Sequence, residues 1–391
     1  MARLGDICKF QSGGTPSKSN EEYFGGKIPW VTTVALNGKE INEKNAIEWL
    51  TEKAILESAA KIVPMNSIMV GTRVGVGKVA INLVEMSTSQ DIISLLDIDG
   101  SKWSKKYICY FIQGKNEYLN SQARGATIKG IKIETLSALE LNEIDIKDQN
   151  RIVRTMDSVD ELISCRKEQL LKLDELVKAR FVEMFGDPTD NPMRWDRVNI
   201  SMVVSGKVSN VFFAKRDDYS DEGNVKVLGV AHVVNRMYSN IENLPATNGT
   251  ETDVVKYGVK YGDMLFCRSS LVAAGIGKAS IVPKNAPNNV LFECHVIRLP
   301  LDLGKCVPEF MQVLSTTDYF RNQVISQSKT ATMTTIGQEG ILKTDIILPP
   351  LELQKQFFQF VEEAEKTKAE VQKSLDELEI LKKSLMQKYF G

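Results

Sequence analysis

Between Ile152 and Met184 apolar side chains recur in alternating steps of four and three. Ile152, Met156, Val159, Ile163, Leu170, Leu173, Val177 and Met184 hold most places, and Arg166 and Arg180 the rest. That spacing keeps one stripe on one helix face and makes the seam of a coiled coil. A second stripe, Phe357, Val361, Ala364, Lys368, Val371, Leu375, Leu378, Lys382, Leu385 and Tyr389, aligns with the first without a gap. Both runs end in Phe-Gly, at Phe185-Gly186 and Phe390-Gly391, where glycine suits a helix C-cap, and Pro188 and Pro192 then mark a linker. The tetrapeptide LDEL also occurs twice, at Leu173 and Leu375, but out of register with the seam, and is a coincidence.

The rest of the chain alternates short apolar, β-branched runs with Gly and Asn, a strand pattern. The runs 28–34, 67–70, 78–84 and 91–98 predict strands, followed by a helical stretch over 105–122. Runs at 225–230, 264–267 and 290–299 and a helical stretch over 309–327 repeat that order. The halves also match in detail: GVGKVAI (75–81) with GIGKASI (275–281), NEYLNSQ (116–122) with TDYFRNQ (317–323), ATIKGI (126–131) with ATMTTI (331–336), and LSALEL before Gln149 with the segment before Gln354. A duplicated plan restricts the architecture. The expected fold class is α+β, two pseudo-symmetric β-rich globular domains separated by a long antiparallel two-helix coiled coil. Its parts are a first domain 1–147, a central helix 148–186, a linker 187–194, a second domain 195–350 and a distal helix 351–391.

Composition narrows the function. The 391 residues carry a net charge of −1, so any basic, nucleic-acid-binding face has to be local. The six cysteines (Cys8, Cys109, Cys165, Cys267, Cys294, Cys306) form no CxxC pair and have only His232 and His295 for company, which argues for reduced thiols and against structural zinc. No segment is apolar over the ~18 residues of a membrane span, and MARLGDICKF lacks a signal core, so a soluble cytoplasmic protein is expected. GTRVGVGK (71–78) superficially suggests a phosphate loop, but Thr72 stands where a Walker motif needs glycine and Val79 where it needs Ser or Thr; Val272 and Ala279 fail likewise in the second copy. Ala80 replaces the third glycine of GxGxxG. The segment reads instead as a tight hairpin with Arg73 and Lys78, or Arg268 and Lys278, at its tip or base. No nuclease, methyltransferase or triad constellation stands out, and His295, inside 290–299, is expected as a packed strand residue. Cations cluster in loop-like segments at Arg124 and Lys129, at Lys215 and Arg216, and at Lys329, where they suit phosphate contacts and equally suit ordinary solvation.

The opening FQSGGTPSKSNEEYFGGKIPWVT (10–32) resembles the start of target-recognition domains in the specificity subunits of type I restriction-modification systems. PPLELQ (349–354) and LDELVKARFVEMFGDP (173–188) resemble that family's helix segments. The first copy departs by placing Ile144 and Asp145 where the two prolines belong, and the second domain opens on a degenerate SGKVS (205–209). The resemblance implies a non-catalytic DNA reader, with one half of a bipartite site for each domain. It also implies docking of two methyltransferase subunits and, through them, restriction subunits. S-adenosylmethionine, ATP and metal would belong to those partners, and the chain would need no cofactor. The DNA-contact candidates are Thr15, Lys18, Thr32 and Thr33 in the first domain's opening, then Arg73, Lys78, Arg124 and Lys129. In the second domain they are Lys215, Arg216, Arg268, Ser269, Lys278 and Lys329. Subunit-interface candidates are the seam residues Ile152, Val159, Leu170, Leu173, Phe357, Val361, Leu375 and Leu378. A seam from Ile152 to Met184 makes a helix of roughly 50 Å, which predicts half-sites with centres about 10 base pairs apart. A stand-alone DNA binder or coiled-coil scaffold is the alternative.

Overall fold

The computed structural model describes residues 1–124, 130–209, 212, 218–220 and 222–391. They form two compact units, the first made of Met1–Lys167 with Lys373–Gly391 and the second of Glu168–Gln372.

In the first unit a five-stranded sheet runs in the order Lys9–Ser12, Ile92–Leu96, Ile68–Gly71, Val79–Asn82, Glu40–Ile41. All neighbours are antiparallel except the parallel edge strand Glu40–Ile41. Ile68–Gly71 and Val79–Asn82 are buried throughout, which is why they read as continuous apolar runs rather than alternation. A second sheet contains Glu48–Leu50, Phe24–Val31, Met86–Thr88 and Ile62–Val63. In the second unit Asp263–Cys267, buried along its length, lies between antiparallel Ala279–Ile281 and Val296–Pro300. Each unit also closes its beginning against its end: Ala2–Arg3 pairs with Glu140–Leu141, and Asp196–Asn199 with Asp345–Leu348.

Several expected elements are redrawn. The helical stretch over 105–122 is two helices, Lys105–Gly114 and Asn116–Gln122, and its counterpart is Pro308–Thr316 followed by Asp318–Ser326. The Thr317 hydroxyl accepts the Phe320 N–H at 3.4 Å, a capping bond that starts the second of these anew. The run 290–299 is two strands in different sheets, Val290–Phe292 and Val296–Pro300. His295 sits in the turn between them and is exposed, not packed in a strand.

The long helices are Ile146–Phe185 and Leu351–Phe390, 40 residues each. Both start before their seams. Asp145 accepts the Lys147 N–H at 2.8 Å as an N-cap, which accounts for the carboxylate that replaces a proline in the first copy. In the second copy the Pro350 carbonyl accepts from the N–H groups of Leu353 and Gln354. One turn further in, a buried glutamine fixes each helix to the preceding chain. Gln149 accepts the Ser104 N–H at 2.9 Å and donates to Lys102 O and Ile144 O; Gln354 accepts the Val307 N–H at 2.9 Å and donates to Lys305 O and Pro349 O. Within each unit the helix segments run antiparallel. Asp160 meets Lys382 at 2.6 Å and Arg166 meets Ser374 at 3.2 Å in the first unit; Asp174 pairs with Lys368 and Phe181 packs on Phe357 in the second.

Candidate nucleic-acid interface

The hairpin between Ile68–Gly71 and Val79–Asn82 is set by glycine geometry. Gly77 has φ +79° and its counterpart Gly277 φ +63°. A Cβ on Gly77 would lie 2.8 Å from the Asn116 side chain, and one on Gly277 would lie 2.4 Å from Val324 Cγ1. Those glycines therefore let each hairpin turn and press on the helix beneath, a packing role rather than a phosphate cradle.

Around the first hairpin, Arg73 lies 3.5 Å from the Asp91 carboxylate and stays half-exposed. The Thr72 N–H and hydroxyl both donate to Asp91 O, and the Ile131 N–H donates to Thr72 O at 2.8 Å. Arg124 and Gly130 exchange backbone hydrogen bonds at 3.0 Å, and the Gln90 N–H reaches Thr15 Oγ1 at 3.4 Å. Thr15, Arg73 and Arg124 are thereby gathered around the turn that holds Gln90 and Asp91. The Trp30 indole donates to Gly14 O at 3.1 Å, which explains why the GGTPS and IPW segments occur together. Lys18 and Lys78 are exposed and Thr32 is half-buried, whereas Thr33 is only 5% exposed and belongs to the interior rather than to a DNA-facing surface.

In the second unit the Cys267 N–H donates to Lys278 O and the Gly277 N–H to Cys267 O, the pattern that Gly71, Lys78 and Gly77 make in the first. Cys267 therefore aligns with Gly71, and the loop to Lys278 is four residues longer. Arg268 then aligns with Thr72, not Arg73; its carbonyl accepts the Ile336 N–H at 3.0 Å as Thr72 accepts that of Ile131. The added length lets Ser269–Ser270 pair with Thr334–Thr335, which pair in turn with Lys329–Thr330. Arg268, Ser269 and Lys329 are thus brought to one small three-stranded sheet, with Ser269 and Lys329 on the strands either side of Thr334–Thr335. The Arg268 N–H donates to His295 O at 2.8 Å and its Nη1 to Cys294 O at 3.1 Å, which brings exposed His295 to the same place. Lys278 is committed elsewhere: it donates to Asn235 Oδ1 at 2.7 Å and lines a cleft of about 750 Å³ with Arg236 and Arg321. Lys129, Lys215 and Arg216 lie outside the described residues.

His295, Thr330 and Thr335 escaped the sequence reading because strand pairing, not proximity in the chain, brings them to Arg268. Segments 71–81 and 123–132 contain Arg73, Lys78, Arg124, Lys129 and Lys132; segments 267–281 and 326–336 contain Arg268, Lys278 and Lys329. None of the four holds an Asp or Glu. In a chain of net charge −1, these four segments therefore carry only positive formal charge, offset in the first unit by Asp91 beside Arg73.

The seam residues are used inside the chain. Ile152 and Val159 are buried in the first unit, Phe357 and Val361 in the core of the second, and Leu375 is buried while Leu170, Leu173 and Leu378 are half-buried. All six cysteines are free thiols. Among the described residues, no cluster of His, Cys, Asp and Glu is arranged to hold a metal ion, and no helix is long and apolar enough to cross a membrane.

Residues 1–175 match the family described as type I restriction modification DNA specificity domain. The chain is similar to the type I restriction enzyme MjaIX specificity subunit of Methanocaldococcus jannaschii, 26% identical over 254 residues, or 60% of this chain and 58% of that protein. It is also similar to the EcoR124I/EcoR124II specificity subunit of Escherichia coli, 28% identical over 185 residues, or 46% of this chain and 45% of that protein. The chain thus spans about half the length of these curated relatives. Among solved structures, the S subunit of a type I restriction-modification system from M. genitalium aligns over 100% of this chain and 95% of its own, with TM-score 0.57 and 13% identity, a likeness of fold. Residues 1–175 thus match a type I restriction modification DNA specificity domain, and the chain as a whole is similar in sequence and in fold to specificity subunits of such systems.

Proposed function

We propose that the chain reads a bipartite DNA site, one half with each unit, and brings methyltransferase and restriction subunits to it without chemistry of its own. The observation that carries this reading is the duplicated hairpin, whose own segments in both copies hold Arg and Lys and no Asp or Glu in a nearly neutral chain, with Asp91 beside Arg73 in the first copy. Arg73 and Arg124 in the first unit, and Arg268, Ser269 and Lys329 in the second, supply donors suited to phosphates and base edges. Partner contacts fall to the exposed apolar side chains of the long helices, Leu162, Leu171, Leu176 and Ile380, because most of the seam is consumed within the chain.

The test is modular exchange. Residues 1–145 are replaced by the corresponding domain of a relative, the complex is assembled, and its methylation sites are mapped. One half-site should change and the other remain. Change in both, or in neither, refutes one half-site per unit.

A further inference from the structure

The four residues added to the second unit's hairpin put Leu271 and Val272 at its tip, 82% and 63% exposed. The first unit has only Val74 there, 57% exposed. Two adjacent branched aliphatic side chains in water contribute nothing to the core, and exposed apolar groups of this kind mark a contact surface. The loop that carries them is held from within and from below. Ser270 Oγ accepts the Val272 N–H at 3.3 Å, the N–H groups of Gly275 and Ile276 bond back to Val272 O and Ala273 O, and Arg321 Nη2 donates to Ala274 O at 3.1 Å. The apolar tip is therefore presented in a fixed shape.

Its surroundings identify the occupant. Segments 267–281 and 326–336 hold no Asp or Glu, and with Lys278 turned to Asn235 and the cleft, Arg268 and Lys329 are the cations of these segments left beside the tip. Ser269 faces Thr335 across the sheet, and Thr330 and Thr334 share a 3.0 Å hydroxyl contact. A cationic rim around an apolar tip is complementary to a polyanion that bears apolar groups. Duplex DNA is such a surface: phosphates flank a major groove in which the thymine C5-methyl is the apolar feature of the base edges. We propose that Leu271 and Val272 are specificity-determining residues that pack on thymine methyl groups in the half-site read by the second unit. This rests on the reading of the chain as a DNA-specificity subunit.

The experiment uses the complex of the full chain with its methyltransferase partner, on a target defined by methylation mapping. Each thymine of the second unit's half-site is replaced singly by deoxyuridine, which removes only the methyl group, and Kd is measured for wild type and for Leu271→Ala with Val272→Ala. Wild type should lose about fourfold in affinity at one or two positions, the effect of one buried methyl. The double variant should lose affinity for the thymine duplex and show no further loss on deoxyuridine there, with the first half-site unaffected. Additive losses, no deoxyuridine effect, or a half-site without thymine overturn the proposal. So does a double variant that fails to hold its methyltransferase while DNA affinity stays unchanged, since the tip then contacts protein. If wild type shows no sequence preference at all, the reading of the chain as a specificity subunit fails instead.

Discussion

In the second unit, Phe181 and Phe185 at the end of the first long helix meet Phe310 and Phe357, with ring centroids 4.9–5.7 Å apart. At the aligned positions the first unit has Met386, Phe390, Tyr107 and Ile152, with a single ring contact of 5.2 Å between Tyr107 and Phe390. Both units thus anchor a helix end in a domain core. One uses four interlocked aromatic rings, which combine burial with edge and stacked geometry; the other keeps two rings and fills the remaining two places with aliphatic Ile152 and thioether Met386, which conform more loosely. The glutamine attachment at the opposite helix end is the same in both. Duplication has kept the polar fastening, where three hydrogen bonds leave little freedom, and has let the apolar anchor diverge, where any well-filled volume serves.

The largest expected break in this comparison comes from the aromatic anchor. Phe181→Ala should cost about 3–5 kcal/mol, and the aligned, half-buried Met386→Ala about 2 kcal/mol. Denaturant unfolding of the full chain gives the sizes. Hydrogen exchange in Asp263–Cys267 and in Ile68–Gly71 shows which unit is loosened. Equal costs at the two positions would mean that the ring cluster adds nothing beyond its volume.

The glutamines should behave alike. Gln149→Leu and Gln354→Leu each leave a buried N–H and two carbonyls without partners, at a cost of about 2–3 kcal/mol. The two values should agree within error, measured by the same unfolding experiment. A clear difference would show that the shared hydrogen-bond pattern conceals unequal surroundings.

The sequence carried the repeat, the long helices and the hairpins because each rests on local periodicity or on glycine positions. Ile152, Met156, Val159 and Ile163 are buried as their spacing requires. What it concealed depends on pairings distant in the chain. Alignment through GxGK placed Lys78 beside Lys278 but hid the added residues before Gly275, and so hid both the alignment of Arg268 with Thr72 and the exposed Leu271. His295 was misread because a tight turn interrupts an apolar run without any glycine or proline to announce it. Thr33 continues a run in which Pro29, Trp30 and Val31 are already buried, and its polar side chain gives no sign in the sequence that the burial extends to it.

A smaller contrast lies in buried charge. Glu309 is fully buried where the first unit has the solvent-reaching Lys106. Its Oε1 accepts the Tyr238 hydroxyl at 2.9 Å and the Tyr261 hydroxyl at 3.3 Å, while its Oε2 has no hydrogen-bond partner. Burial pushes the Glu309 carboxyl above its ordinary value, and its own backbone N–H and the two tyrosine hydroxyls offset this only in part. A carboxyl whose folded pKa is raised binds its proton more tightly in the folded state. Its ionisation therefore costs stability above the folded pKa, and that cost disappears below the unfolded value. Glu309→Gln keeps an acceptor for the tyrosines and removes the ionisation. The stability of wild type relative to Glu309→Gln should then fall as pH rises from the ordinary carboxylate range through the raised folded value, and level off above it. Unfolding of both proteins across that range checks the sign, with hydrogen exchange in the first unit as the unaffected reference. A difference that is flat with pH, or that favours wild type increasingly as pH rises, would mean that Glu309 is ionised and satisfied where it stands, and that the two units do not differ in this respect.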